Sequence, residues 1–132
     1  MTKRLTFTDA FAAYGARPRN RLWAFSAIAN DGSLVLSCWH NLMKPQGDGH
    51  KRYEDRMSRW TGARHGKKLL TSHLSLAVED NLPVRLVLAT LDDPTQATDG
   101  DASKLKKTFS IDQGVVGTVV TFDGDLFAID FK

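Results

Sequence analysis

Two short turn sequences, one toward each end of the chain, constrain the fold more than any other feature. The first is Asn30-Asp31-Gly32 and the second is Asp123-Gly124. Asn, Asp and Gly tolerate the positive φ values that tight hairpin turns require. The apolar runs that flank the two turns are residues 22–29, 34–40, 115–122 and 125–131. The sequence therefore predicts two β-hairpins.

Two helices are predicted beside the hairpins. A short one spans residues 9–14, where Thr6 or Thr8 can cap its start and Gly15 can end it. A longer one spans residues 66–80, where apolar side chains recur at three- and four-residue spacing, the period of an amphipathic helix. Both helices are expected to bury an apolar face against the sheet.

The rest of the chain divides into strands and loops. Residues 84–91, which are rich in branched apolar side chains, and residues 105–111 predict two further strands. Residues 41–50 contain Pro and Gly and predict a loop, as do the acidic residues 92–103. Residues 51–60 fit a strand and a helical turn equally well.

This order of elements predicts one α+β domain over residues 1–132. An antiparallel or mixed sheet of about five to six strands, including the two hairpins, would carry both helices on one face. A doubly wound parallel sheet is excluded, because regular alternation of strands and helices is missing after Leu91. The length of the chain falls within the usual range for a single domain.

Apolar runs and cysteine content bear on where the protein works. The apolar run at residues 84–91 is interrupted by Arg85 and is far shorter than the roughly 18 residues of a membrane-spanning helix. We therefore expect no membrane partner. Cys38 is the only cysteine, so no internal disulfide and no cysteine-based zinc site can form. A reducing cytoplasm is the expected location.

Charge divides the chain into two unequal halves. Residues 1–70 hold 13 Lys and Arg against 5 Asp and Glu, a net charge of +8. Residues 71–132 hold 5 Lys and Arg against 10 Asp and Glu, a net charge of −5. Residues 51–68, which we call the basic segment, carry 7 basic and 2 acidic side chains. Gathered on one face, these charges would attract anions, unless the acidic half masks them.

Nine basic side chains are the candidate contacts for phosphate. They are Arg17, Arg19, Arg21, Arg52, Arg56, Arg59, Arg64, Lys67 and Lys68. The first three alternate in an extended arm and would point the same way, as in the basic arms of DNA-binding proteins. A solvated linker is the alternative for this arm, and a solubilising surface is the alternative for the two lysines.

The start of the longer helix and Trp60 extend this hypothesis. Gly62 and Gly66 would let backbone N–H groups approach an anion at the positive end of the helix dipole. The Walker A pattern is not met, because the glycine spacing is one residue short and Lys68 stands where Ser or Thr is required. Trp60 can supply a stacking surface for a base, with a place in the core as its alternative.

Signals for catalysis are weak. His40 and His65 are of the residue type that small metal-dependent nucleases use, but the metal-binding pattern between them is absent. Cys38 is expected as a small buried hydrophobe inside a strand, and His73 as a hydrogen-bonded core residue. We therefore assign no catalytic residue, no metal and no cofactor.

The leading hypothesis is a non-enzymatic module that binds nucleic acid or another polyanion. The arm and the basic segment would form its binding surface, and its affinity would fall as salt is raised. One alternative is a protein-interaction or self-association module that is steered by the charge asymmetry. A second alternative is a small metal-dependent hydrolase or nuclease that uses His40 or His65.

Overall fold

The structure, a computed structural model, describes residues 6–18, 25–47, 49–59, 64–91 and 107–132. These residues form an α+β fold, as predicted. Its helices are α1 (Phe7–Ala12) and α2 (Arg64–Asp80). Its strands are β1 (Ser26–Ile28), β2 (Leu34–Trp39), β3 (Met43–Gly47), β4 (His50–Arg56), β5 (Val84–Leu91), β6 (Lys107–Ile111), β7 (Gly117–Phe122) and β8 (Leu126–Phe131). Short 3-10 turns, His40–Leu42 and Met57–Arg59, follow β2 and β4.

The strands form one mixed sheet in the order β1-β2-β5-β7-β8-β4-β3, with β6 beside β5. β2 and β5 are parallel, and the other neighbouring pairs are antiparallel. Because β3, β4 and α2 lie between β2 and β5 in the chain, this pair has the long crossover that parallel strands need. The predicted antiparallel or mixed sheet is therefore a mixed one.

The strands β3 and β4 account for the difference between the 8 strands observed and the five to six predicted. β3 lies where Pro45 and Gly47 predict a loop. Proline lacks an N–H but is tolerated on an edge strand, and β3 is the last strand of the sheet. The register shifts between Pro45 and Gly47, which has a φ of 85°, so a bulge absorbs the irregularity. The loop prediction for residues 41–50 is therefore wrong.

The two helices cover opposite faces of the sheet. Leu34 and Leu36 of β2 belong to the apolar cluster that includes Leu74 of α2. Val35, which lies between them, belongs to a second cluster with Phe11 of α1. Successive side chains of a strand point to opposite faces. The expectation that both helices share one face is therefore wrong, since each apolar face of β2 packs against a different helix.

The sheet curves so that β4 returns to the end of β2. The backbone N–H of Trp39 donates a hydrogen bond of 3.3 Å to the Tyr53 hydroxyl, although β5, β7 and β8 separate β2 from β4 in the sheet order. Tyr53 packs beside Phe127 of β8, with ring centroids 6.1 Å apart. Trp39 is half-buried and contacts both clusters. The curved sheet and α2 therefore enclose the cluster that contains Leu36 and Leu74, and α1 covers the second cluster on the opposite face.

Both predicted hairpin turns are present. In the first turn, Asp31 accepts a hydrogen bond of 2.9 Å from a backbone N–H two residues further on, and Gly32 has a φ of 89°. In the second turn, Asp123 accepts two backbone hydrogen bonds of 2.9 and 2.8 Å, and Gly124 has a φ of 100°. Each turn therefore uses an aspartate that binds the local backbone and a glycine in the left-handed conformation.

The two helices begin and end close to their predicted limits. The Thr6 hydroxyl accepts a hydrogen bond of 3.1 Å from the Asp9 N–H and caps α1, and Gly15, with a φ of 75°, follows the helix. α2 starts at Arg64, slightly before the predicted residue 66, and ends before Asn81, which has a φ of 55°. Within the described ranges, neither helix has the length and apolar content that crossing a membrane requires.

Candidate functional site

The predicted phosphate contacts are distributed over several elements. Arg17 follows α1, Arg52 and Arg56 lie on β4, Arg59 ends the 3-10 turn after β4, and Arg64, Lys67 and Lys68 lie on α2. Arg19, Arg21 and the stacking candidate Trp60 lie outside the described residues. The fold therefore brings two of the predicted contacts together on one strand and three on one helix.

Arg52 is held firmly by a carboxylate of the neighbouring strand. Its Nε and Nη2 atoms donate hydrogen bonds of 2.5 and 2.9 Å to the two carboxylate oxygens of Asp130. The two residues lie opposite each other in the β4–β8 register. The Arg52 guanidinium lowers the pKa of Asp130, mainly through these hydrogen bonds. Such a bidentate pair fixes both side chains, so Arg52 is a positioned charge.

Arg56 has a looser partner. Its Nη1 atom lies 3.4 Å from Asp125 Oδ2, and its side chain is 59% exposed. Asp125 is held mainly by Ser58, whose N–H donates a hydrogen bond of 2.7 Å, and this bond is the largest cause of the lowered pKa of Asp125. Exposed ion pairs of this kind contribute about 0 to 1 kcal/mol. The Arg56 side chain can therefore exchange this partner for another anion.

These two ion pairs join the basic and acidic halves of the chain. Arg52 and Arg56 belong to the basic half, whereas Asp125 and Asp130 belong to the acidic half. β4 and β8 are neighbours in the sheet, and opposite charges across neighbouring strands stabilise their pairing. Ion pairs between the two halves of the chain therefore help to stabilise the fold, and they offset the charge of two of the predicted phosphate contacts.

The start of α2 carries the other basic groups of the segment. α2 begins at Arg64, so Lys67 and Lys68 are its fourth and fifth residues, and its first turn has no acidic residue. Lys68 is exposed and Lys67 is half-buried, and neither forms an ion pair with any residue that the structure describes. The helix dipole acts mainly on the first turn. It therefore destabilises these two lysine charges less than it would if the helix began at the predicted residue 66.

A second group of basic residues lies on the face of the sheet that points away from α2. In the strand register, Arg52 lies between Lys44 of β3 and Asp130 of β8. His50 and Lys132 lie two residues along from Arg52 and Asp130, so strand periodicity places them on the same face. We call Lys44, His50, Arg52 and Lys132 the outer basic face. Three separate segments of the sequence contribute to it.

Two carboxylates share the outer basic face. The pKa of Asp130 is lowered by Arg52 first and, to a smaller extent, by the charges of Lys132 and His50. The strand register places both groups on the same face of the sheet as Asp130. Glu54 lies 4.0 Å from Arg52. Arg52 thus lies between two carboxylates, with further basic groups around them.

A buried polar network lies on the opposite face of β4. The buried carboxylate of Asp55 accepts hydrogen bonds of 2.8 Å from the Arg56 N–H and 3.2 Å from the Tyr53 hydroxyl. Cys38 is also buried, and its pKa is raised well above the usual value by burial first and then by the charge of Asp55. The thiol therefore stays protonated, which makes it a poor nucleophile. Cys38 is the buried strand residue that its sequence context predicts.

The histidines give no support to a metal site in the described part of the chain. His40 is exposed in the 3-10 turn after β2. Nδ1 of His73 lies 2.7 Å from the Ser26 hydroxyl, so this histidine is hydrogen-bonded as predicted. Within the described ranges, no group of three or more His, Cys, Asp or Glu side chains could hold a metal ion.

Comparison with known proteins adds no assignment. No protein-family model matches the chain, and no match is found among curated proteins or solved structures. Function must therefore be inferred from the charges and contacts of the described residues.

Proposed function

We propose that this protein is a non-enzymatic module that binds an anionic polymer, and that nucleic acid is its partner. The observation that carries the proposal is the surplus of cations in the basic segment. Arg52 and Arg56 have carboxylate partners, whereas Lys67 and Lys68 form no ion pair within the described residues. A phosphate backbone supplies the counter-charge that such groups attract.

The basic residues have different roles in this proposal. Arg52 is a fixed charge, because Asp130 holds it by two hydrogen bonds. Arg56 binds phosphate after it leaves its exposed contact with Asp125. Lys67 and Lys68 bind phosphate directly. The remaining predicted contacts are assigned to the same role on their charge alone, with Trp60 for stacking: Arg17, Arg19, Arg21, Arg59 and Arg64.

Binding of labelled DNA and RNA, followed by fluorescence anisotropy at about 50 mM and about 200 mM salt, tests the proposal. The wild-type protein should bind at the lower salt, and log K should fall by about 0.7 to 0.9 per tenfold increase in salt for each phosphate contact. Replacing both lysines of α2, Lys67→Gln and Lys68→Gln, should reduce this slope by about 1.4 to 1.8, because two contacts are lost.

A second pair of adjacent lysines provides the matched control. The double variant Lys106→Gln and Lys107→Gln removes the same charge from the acidic half of the chain, and it should keep the wild-type slope. Absence of wild-type binding even at low salt would contradict the proposal. Equal losses in both double variants would show that total charge drives binding and would remove the basic segment as the site.

A further inference from the structure

We infer that the outer basic face is a contact surface for the phosphate backbone of nucleic acid, an inference that rests on the proposed function. Its four residues come from β3, β4 and the end of β8, and the strand register places them together. The N–H and C=O groups of Lys132 both hydrogen-bond Val116, at 3.1 and 3.0 Å. The strand ladder therefore continues past β8 and sets the direction of the Lys132 side chain.

The carboxylates on this face leave a positive surplus. Asp130 is engaged by Arg52, and Glu54 lies 3.8 Å from the Lys44 ammonium. The Lys44 side chain is 63% exposed, so this ion pair is weak and a phosphate can displace it. Lys132 forms no ion pair with the residues that the structure describes. Two ammonium groups and the exposed imidazole of this face are therefore available to a ligand.

The chemistry of the face suits phosphate rather than bases. Its basic groups are hydrogen-bond donors, and Thr118 of β7 lies beside Asp130 in the register and adds a hydroxyl. Base stacking needs large aromatic side chains. Those of β4 and β8, which are Tyr53, Phe127 and Phe131, belong to the core on the opposite face. Contacts made here should therefore go to the nucleic-acid backbone and should carry no sequence information.

Charge density favours nucleic acid over an acidic protein as the occupant. Neighbouring strands are about 4.8 Å apart and residues along a strand about 3.4 Å apart, so the lysines on β3 and at the end of β8 are about 12 Å apart, two strands across and two residues along. Each strand of a duplex presents a phosphate about every 3.4 Å along its axis. An extended peptide presents a side chain to one face only about every 7 Å. Because its phosphates are more closely spaced than the side chains of a peptide, nucleic acid can contact all the basic groups of the face at the same time.

Three single variants that each remove one positive charge test the inference. Lys44→Gln and Lys132→Gln lie on the outer basic face, and Lys107→Gln is the control, because Lys107 lies outside the basic segment, on β6, which pairs with β5. Each of the first two should weaken DNA binding about three-fold and reduce the salt slope by about 1. Lys107→Gln should keep the wild-type slope.

A loss of DNA binding can also arise when a variant misfolds, so a variant that is expected to bind more tightly is a useful second test. Glu54→Gln removes a carboxylate that lies beside Lys44 and Arg52, so it should tighten DNA binding about three-fold. Glu79→Gln on the exposed surface of α2 is its control and should bind as the wild type does. A gain of affinity at Glu54 alone cannot arise from a damaged fold.

The outcomes separate this inference from the proposed function. Wild-type binding with equal slopes for Lys44→Gln, Lys132→Gln and Lys107→Gln would overturn the inference and leave the proposed function standing. Equal gains for Glu54→Gln and Glu79→Gln would also overturn the inference. Wild-type protein that binds poly-glutamate but neither DNA nor RNA would overturn both, because the partner would then be an acidic protein.

Discussion

The regions around β2 and around β4 are built in opposite ways. β2 is buried on both faces, with Leu36 turned toward α2 and Val35 turned toward α1. β4 is buried on one face only, at Tyr53 and Asp55, and its other face carries charged side chains. Burial of apolar area therefore holds the first region together, whereas ion pairs across strands contribute to the second. The second region is the one that can meet a charged partner.

Core truncations should produce the largest difference between the two regions. Leu36→Ala should lower the free energy of unfolding by about 2 to 5 kcal/mol, because it leaves a cavity between β2 and α2. Val35→Ala should cost about 1.6 kcal/mol, from two lost methyl groups on the α1 face. Lys44→Ala on β3 should change the free energy of unfolding by less than about 0.5 kcal/mol. Urea unfolding measures all three, and an unchanged midpoint for Val35→Ala would contradict a packed α1 face.

Removing one buried hydroxyl should have the next largest effect. The Tyr53 hydroxyl accepts a hydrogen bond from the Trp39 N–H and donates one to Asp55, so Tyr53→Phe should cost about 1 to 3 kcal/mol. Tyr14→Phe, which loses the hydrogen bond of 2.7 Å that this hydroxyl donates to the Leu86 carbonyl, should cost about 0.5 to 1.5 kcal/mol. Thermal unfolding compares the two variants. A Tyr53→Phe protein as stable as the wild type would mean that β4 does not depend on this link to β2.

Acid should weaken the charged region, with a smaller effect. The pKa values of Asp123, Asp125 and Asp130 are all lowered in the folded protein, the first two mainly by backbone hydrogen bonds and the third by Arg52. Their stabilisation is fully present above the unfolded pKa of about 3.9 and is lost as the pH falls through the folded values. The midpoint temperature of thermal unfolding should therefore decrease once the pH is lowered below about 4. For Asp130→Asn this decrease should be smaller. Identical pH profiles for both proteins would refute a role for the Arg52 pair.

The contrast between the two regions also explains what the sequence could predict. The Asn30 to Gly32 turn, the period of α2 and the apolar run of β5 are local signals, and each element lies close to its predicted place. β3 and β4 lack such signals, because Pro45 lies on an edge strand and only Tyr53 of β4 provides a large apolar core residue. The position of β4 depends on pairing with β8, whose partner residues are 70 or more positions away in the chain, and the position of β3 depends on pairing with β4.

The candidate site shows the same limit. Composition identifies Arg52 and Arg56 as basic, but only the contacts made in the fold show that Asp130 and Asp125 offset them. The register also adds Lys44 and Lys132, which lie outside the basic segment and have no periodic signal of their own. Charge counts therefore indicate how much positive charge is present, whereas strand pairing decides which charges remain available.

The most direct test of a charge-driven nucleic-acid interface is the salt dependence of wild-type binding to several unrelated DNA and RNA sequences. We predict that log K falls linearly with log salt, with the same steep slope for sequences of equal length and the same nucleic-acid type, because the contacts are to phosphates. Affinity that is absent at low salt, or that is present but unaffected by salt, would contradict the account.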